Sequence, residues 1–132
     1  YDTNYEGKAQ AALDILEERD FVFVHVEAPD EAGHNGDIRA KITAIENFDR
    51  KITGKILAKF ADKNDYRILI LPDHPTPIVK RTHTSDPVPF AMAGKGITPD
   101  EVTVFTEKAA KAGSVRLKKG SDLMKMFLTD SF

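Results

Sequence analysis

The chain has 132 residues, of which 41% are hydrophobic and 30% are charged, and its formal net charge at pH 7 is −2. A chain of this size supports one modest hydrophobic core, so we expect residues 1–132 to form a single domain. The charges are balanced and form no basic block, which argues against a nucleic-acid partner. No apolar run reaches about 20 residues, which argues against a membrane partner. The absence of cysteine fits the cytoplasm.

The first two elements are predicted to be a helix and a strand. Residues 6–19 carry an apolar stripe at helical spacing, formed by Ala9, Ala12, Leu13 and Leu16. Residues 21–27 are almost entirely apolar, which predicts a strand covered on both faces of a parallel sheet. His25 lies within this run, so we expect either a hydrogen-bonded interior histidine or a group that supports a metal ligand.

The longest predicted helix covers residues 37–60. Apolar residues recur there every three or four positions, and Asp37 stands where an N-cap is expected. The stripe consists of Ile38, Ile42, Ile45, Phe48, Ile52, Ile56 and Phe60. We interpret it as core packing, with solvated charges on the opposite face.

The remaining elements are shorter. Residues 66–71 predict a second buried strand, and residues 88–94 form a third apolar stretch. A short helix at 106–112 and a last helix capped by Ser121 and carrying Leu123, Met124 and Phe127 complete the chain. Strands alternating with helices predict an α/β fold of packed layers with right-handed crossovers.

Acidic and imidazole side chains border each of the three apolar segments. Asp30 and His34 follow the first, Asp73 and His74 follow the second, and His83 precedes the third. In open α/β sheets, ligands bind beyond the carboxyl ends of the strands. Mixed carboxylate and imidazole ligands suit Zn, Mn, Fe or Co, and five of them suit two metal ions better than one.

Each motif taken alone is also compatible with a structural role. Asp30 could be a helix N-cap with His34 on the surface one turn later. Asp73 and His74 could form a polar turn, and His83 could be a solvated loop residue.

The three loops together resemble a known family. The segments FVFVHVEAPDEAGHNGD, LILPDHPTP and RTHTSDPVPFA, in this order, are similar to the carboxyl-terminal metal-binding half of the cofactor-independent phosphoglycerate mutases, within the alkaline phosphatase superfamily. With DTNYEGKAQAAL near the start, the chain looks most like the archaeal-type branch, which includes proteins proposed to be homoserine kinases. The resemblance implies part of an α/β, alkaline-phosphatase-like three-layer sandwich with a mostly parallel sheet.

The resemblance also implies the ligand sets of two divalent ions. Asp30, His34 and His83 would bind one ion, and Asp73 and His74 would bind the other. Mn²⁺ is the expected metal, with Zn²⁺, Co²⁺ and Mg²⁺ as alternatives, and no other cofactor is expected.

In the family, a further aspartate and a nucleophilic serine complete the second site. Neither matches this chain, since Ser85, Ser114, Ser121 and Ser131 fit no such motif. The resemblance therefore implies that these groups come from a missing amino-terminal part of the same protein, that this chain holds no catalytic residue, and that alone it is inactive.

The parent enzyme would exchange 2- and 3-phosphoglycerate in glycolysis through a phosphoserine, acting on a phosphorylated small molecule. Two alternatives remain open: a phosphotransferase of the same superfamily, such as a proposed homoserine kinase, and a non-catalytic metal-binding α/β module.

Neighbouring polar residues could support the site. Glu27, Asp37 or Asp86 could accept the free ring N–H of a ligating histidine. Lys80 and Arg81 lie close to His83 in the sequence, where they could meet a phosphate or remain solvated.

Overall fold

The computed structural model describes residues 3–129, which fall into two compact units. The first unit runs to Asp62 and includes Thr76–Thr84, and the second comprises Lys63–Pro75 and the chain from Ser85 onward. Ser131 lies outside the described residues. No helix within residues 3–129 is both long and apolar enough to cross a bilayer.

The first unit is helical. Its elements are α1 (Tyr5–Leu16), α2 (Ala28–Asn35), α3 (Ile38–Asn47), a π-helical segment (Phe48–Thr53) and α4 (Gly54–Phe60). The predicted helix at 6–19 is confirmed as α1, which ends three residues early and is capped by the side chain of Asn4.

The predicted helix at 37–60 is confirmed as α3, the π-helical segment and α4 in succession. Asp37 is its N-cap, because the carboxylate accepts a 2.9 Å hydrogen bond from the backbone N–H of Ala40. The π-helical segment lets the helix continue while its register shifts by part of a turn.

The apolar stripe of this helix is only partly in the core. Ile52 is 2% exposed, whereas Ile38, Ile42 and Ile45 are all more than half exposed. The prediction of core packing is therefore wrong for the first half of the stripe. The reason is the direction of packing: α2 lies against α3 on the side of Ala44, which is buried, so the isoleucine side is left uncovered.

The core of the first unit is built largely from small residues. Its buried members are Tyr5, Ala9, Ala28, Ala44 and Ile52, and Val24, Val26, Phe48 and Ile56 pack around them. Alanine at three of these positions allows the helix backbones to approach closely, which holds α2 firmly against its neighbours.

The strand predicted at 21–27 is not formed. These residues belong to no ladder among the described residues, although burial alternates along them as in a strand. Val24 and Val26 pack on the core, while Phe23 is 70% exposed. Apolarity alone cannot supply a hydrogen-bonding neighbour, and here only one face is covered rather than two.

His25 lies on the exposed side of this alternation, so the prediction of an interior histidine is wrong. Its side chain is 48% exposed, its ring stacks on Phe23, and its Nε2 lies 3.7 Å from Glu27 Oε1.

The second unit contains the sheet. Strand β1 (Arg67–Ile70) pairs with β2 (Ala91–Gly94), which confirms the strand predicted at 66–71 and places a strand within the apolar stretch at 88–94. The pairing is antiparallel, with Ile68 opposite Ala93, and differs from the mostly parallel sheet expected. Parallel neighbours need a crossover, usually a helix, and no helix lies between these two strands.

Two helices follow the sheet, α5 (Glu107–Ala110) and α6 (Ser121–Leu128), as the sequence predicts. The hydroxyl of Thr106 caps α5. Ser121 is the first residue of α6 rather than its cap, a position that Gly120 takes. Leu123 and Met126 are the buried residues of α6, at spacing i and i+3, whereas Met124 is 41% exposed.

Candidate metal centre

Three of the five predicted ligands come together in the first unit. Asp30 and His34 lie one turn apart on α2, and His83 lies near the end of the segment 76–84. One candidate ligand atom from each of the three lies within 4.8 Å of the others. We call this group the Asp30–His34–His83 cluster.

Local sequence explains why α2 begins and ends where it does. Pro29 occupies the first turn, where its missing N–H is not needed. Gly36 ends the helix in the left-handed conformation, with φ of 70°, and the N–H of Asp37 returns to the carbonyl of Ala32. Asp30 sits inside the first turn and the N-cap position belongs to Glu27, so the alternative of Asp30 as an N-cap does not hold.

The segment 76–84 brings a backbone carbonyl to the cluster. A turn in which the N–H groups of Lys80 and Arg81 both donate to Pro77 O leads into Arg81, whose φ is 54°. This left-handed conformation is uncommon for residues other than glycine. The carbonyl of Arg81 lies 3.0 Å from His34 Nδ1.

That contact selects the tautomer of the neutral His34 ring. A carbonyl oxygen can only accept, so Nδ1 carries the proton and donates it. In the neutral ring, Nε2 then presents its lone pair to Asp30 and His83, which is the form in which imidazole binds metal.

Separations within the cluster fit a shared ion. His34 Nε2 lies 3.0 Å from His83 Nε2 and 3.4 Å from Asp30 Oδ2, and His83 Nε2 lies 3.3 Å from Asp30 Oδ1. Two ligand atoms that are each about 2.1 Å from one ion lie roughly 3.0 to 3.4 Å apart, for octahedral to tetrahedral angles. The donor types and their spacing therefore suit one divalent cation of the Mn, Zn or Co kind.

The cluster lies open at the surface of its unit. The side chains of Asp30, His34 and His83 are 34%, 40% and 51% exposed. Three protein ligands leave coordination positions for water or substrate, which is typical of catalytic rather than structural sites.

Asp73 and His74 belong to the second unit, where they follow β1. Their side chains meet, with His74 Nε2 3.5 Å from Asp73 Oδ2, and the N–H of His74 donates to Asp73 Oδ1. Both side chains are accessible, at 64% and 32% exposure. This pair offers one carboxylate and one imidazole, so a metal there needs further ligands.

The supporting residues differ from those predicted. Glu27 contacts His25, Asp37 caps α3, and Asp86 is exposed in the second unit. The acceptor for the His34 ring is instead the backbone carbonyl of Arg81, which no side-chain pattern signals.

A second contact that sequence reasoning missed involves Thr76. Its hydroxyl lies 2.5 Å from Asp30 Oδ1, and Thr76 is one of the few buried polar residues among those described. The loop sequence Asp-His-Pro-Thr-Pro contains this threonine but does not indicate its role.

The basic residues near His83 are placed at the surface. Lys80 is exposed, and the guanidinium of Arg81 packs beside Gly36 at the end of α2. The positive φ of Gly36, 70°, favours glycine there, whereas the nearby Arg81 side chain is flexible and could move aside for a Cβ.

Comparison with known proteins agrees with this geometry. The sequence model of the metalloenzyme superfamily matches residues 1–130. The chain belongs to the metalloenzyme superfamily. The resemblance that the three loops carry is thereby confirmed at the level of the family.

Relatives within this superfamily share a name. A 2,3-bisphosphoglycerate-independent phosphoglycerate mutase from Methanosarcina acetivorans is 55% identical over 130 residues, which are 96% of this chain and 32% of that protein. A probable 2,3-bisphosphoglycerate-independent phosphoglycerate mutase from Geobacter sulfurreducens is 47% identical over 96% of this chain and 32% of its own length. The metalloenzyme chain thus spans about a third of the curated relatives it matches.

A solved structure supports the fold. The PH0037 protein from Pyrococcus horikoshii superposes with a TM-score of 0.89 at 34% identity, covering 97% of this chain and 38% of that one. The predicted α/β fold class, as part of a larger domain of this metalloenzyme superfamily, is confirmed.

Proposed function

We propose that Asp30, His34 and His83 bind one divalent cation and that Asp73 and His74 contribute to the site of a second. The observation that carries the proposal is the convergence of the first three side chains within 4.8 Å. We expect Mn²⁺ as the metal, as the family resemblance implies, with Zn²⁺, Co²⁺ or Mg²⁺ as alternatives; a mixed set of two imidazoles and one carboxylate is compatible with several divalent cations.

We propose that this chain is part of a cytoplasmic phosphoglycerate mutase of glycolysis, which interconverts 2- and 3-phosphoglycerate through a phosphoserine. The names of the relatives, at 47% to 55% identity, support this activity over that of a homoserine kinase. Because the chain spans about a third of those relatives, the activity is assigned to a protein that includes the other two thirds. In this proposal, residues 1–132 form one part of a catalytic domain.

The chain's own residues would prepare the site for a phosphate group. A bound divalent cation acts as a Lewis acid that offsets negative charge on phosphoryl oxygens. Asp30 would supply one negative charge to a bound cation, and His34 would bind it through Nε2 while its Nδ1–H donates to Arg81 O. A divalent cation held by one carboxylate and two neutral imidazoles would keep a net positive charge, which favours an anionic substrate.

The nucleophile is expected outside this chain. Ser114 donates to Asp100, and Ser121 begins α6, both within the second unit. Neither these serines nor Ser85 and Ser131 match the family's nucleophile, so we expect the chain alone to show no mutase turnover.

Calorimetric titration with Mn²⁺ tests the first ion site. We expect Asp30→Ala and His83→Ala each to abolish its binding, because the two residues come from separate segments that meet only in the fold. His25→Ala is the matched control, since His25 is an exposed histidine of the same unit outside the cluster. Unchanged binding in both cluster variants would refute the site and favour a structural module.

The activity requires a separate test. A chimera in which this chain replaces the matching third of the Methanosarcina acetivorans relative should still convert 2- to 3-phosphoglycerate. His34→Ala in that chimera should abolish the conversion. Phosphorylation of homoserine without mutase activity would support the alternative phosphotransferase. Mutase turnover by the chain alone with Mn²⁺, above that of its His34→Ala variant, would contradict the assignment of the nucleophile to another segment.

A further inference from the structure

Thr76 is a buried polar residue in contact with a proposed metal ligand. It is 5% exposed, and its Oγ1 lies 2.5 Å from Asp30 Oδ1. An ionised carboxylate can only accept, so the hydroxyl donates to Asp30. A hydrogen bond to a charged group in such a sheltered position is stronger than one between neutral groups at the surface.

The backbone of Thr76 is held from two helices. Lys41 on α3 donates from Nζ to Thr76 O at 2.6 Å. Gly33 on α2 lets the same carbonyl approach, because a Cβ built there would lie 2.6 Å from Thr76 O. The hydroxyl therefore projects toward Asp30 from a fixed point rather than from a mobile loop.

The carboxylate of Asp30 has to face two histidines at once. Its Oδ2 lies 3.4 Å from His34 Nε2 and its Oδ1 lies 3.3 Å from His83 Nε2. The terminal torsion of aspartate is broad, so packing alone leaves the carboxylate plane poorly defined. A donor on Oδ1 restricts that rotation.

We propose that Thr76 is a positioning residue of the metal centre, which holds the Asp30 carboxylate in the plane that lets it share an ion with His34 and His83. The inference rests on the proposed function of the cluster and adds a residue to it. Loss of such an outer hydrogen bond typically weakens metal binding by about 10- to 100-fold.

Two variants separate the hydroxyl from the shape of the side chain. Thr76→Val keeps the volume and loses the hydroxyl, while Thr76→Ser keeps the hydroxyl and loses a methyl group. We expect Thr76→Val to bind Mn²⁺ about 10- to 100-fold more weakly by calorimetry, and Thr76→Ser to bind within about threefold of the parent chain. Neither change removes the backbone carbonyl that Lys41 contacts.

The thermal unfolding midpoint of each metal-free variant shows whether weaker Mn²⁺ binding comes from a misplaced Asp30 carboxylate or from a less stable fold. Equal Mn²⁺ affinity in Thr76→Val and the parent chain would overturn the proposal, and so would equal weakening in Thr76→Val and Thr76→Ser. If Thr76→Val does not fold, Thr76→Ala provides the same comparison against Thr76→Ser.

Asp30→Ala tells the two proposals apart. If Asp30→Ala loses Mn²⁺ binding and Thr76→Val does not, the ion site stands and the role of Thr76 is refuted. If Asp30→Ala binds Mn²⁺ normally, the ion site itself is refuted and Thr76 positions no ligand.

Discussion

Replacement of Gly33 by alanine should damage both the stability of the first unit and its metal site. Gly33 is a buried residue of α2 between the two ligands that the helix contributes. A Cβ there would lie 2.6 Å from Thr76 O and 2.9 Å from Thr76 Cγ2, closer than any van der Waals contact allows. Since the backbone of Thr76 is fixed, α2 and the segment 76–84 must move apart.

The magnitude follows from two opposing effects. Alanine in place of glycine stabilises a helix interior by about 1 kcal/mol. Overpacking a tight contact costs about 1 to 3 kcal/mol. The helix effect should be similar at another helical glycine, so a comparison between two such positions isolates the cost of the contact.

Gly54 provides that comparison. It is an exposed helical residue of the same unit, and a Cβ there would meet only Asp49 O at 3.4 Å. We expect Gly54→Ala to raise the free energy of unfolding by about 0.5 to 1 kcal/mol, and Gly33→Ala to lie about 1 to 3 kcal/mol below it.

Urea unfolding followed by circular dichroism measures both variants, and calorimetry with Mn²⁺ measures the site. Gly33→Ala should also bind the ion at least about tenfold more weakly, because Asp30 and His34 move relative to His83. The reasoning is refuted if Gly33→Ala is as stable as Gly54→Ala and binds Mn²⁺ as the parent chain does.

Three further predictions concern other contacts. Hydrogen bonds from the backbone N–H of Ser114 and, to a smaller extent, of Val102 hold the pKa of Asp100 below its usual 3.8. The ionised Asp100 therefore stabilises the fold above pH 3.8, and this stabilisation is lost as pH falls through the lowered pKa. Asp100→Asn should therefore flatten the acid-side decline in the unfolding free energy of the second unit, and an unchanged pH profile would contradict this. Arg67 donates to the carbonyls of Phe127 and Thr129 at the end of α6, so Arg67→Met should lower stability in urea by about 1 to 3 kcal/mol, and an unchanged midpoint would count against it. Asp37→Ala should cost about 1 kcal/mol by loss of the α3 cap, whereas Asp37→Asn should cost much less, and equal losses would argue against capping.

Local chemistry made several features readable from the sequence. Asp37 caps a helix as its residue type predicts, because a cap depends on a side chain and the next three residues. The loops with Asp30, His34 and His83 identify the family, since the types and spacing of ligands are set along the chain.

Strand pairing and burial were less predictable. Residues 21–27 read as a buried strand, yet Phe23 is 70% exposed and no strand pairs with the segment among the residues described. Ile38, Ile42 and Ile45 have core-like spacing and are exposed for the same reason. An apolar pattern states which face could be buried, and the neighbour that covers it is decided elsewhere in the chain.

The amino-acid sequence by itself determined which side chains are available to bind a metal and which turns carry them. Only the tertiary structure decided that the carbonyl of Arg81 orients His34 and that the hydroxyl of Thr76 reaches Asp30 across 46 positions of the chain. The physical reason is that both contacts depend on the direction of a folded backbone. Gly33 and Lys41 fix the direction at Thr76, and a φ of 54° sets it at Arg81.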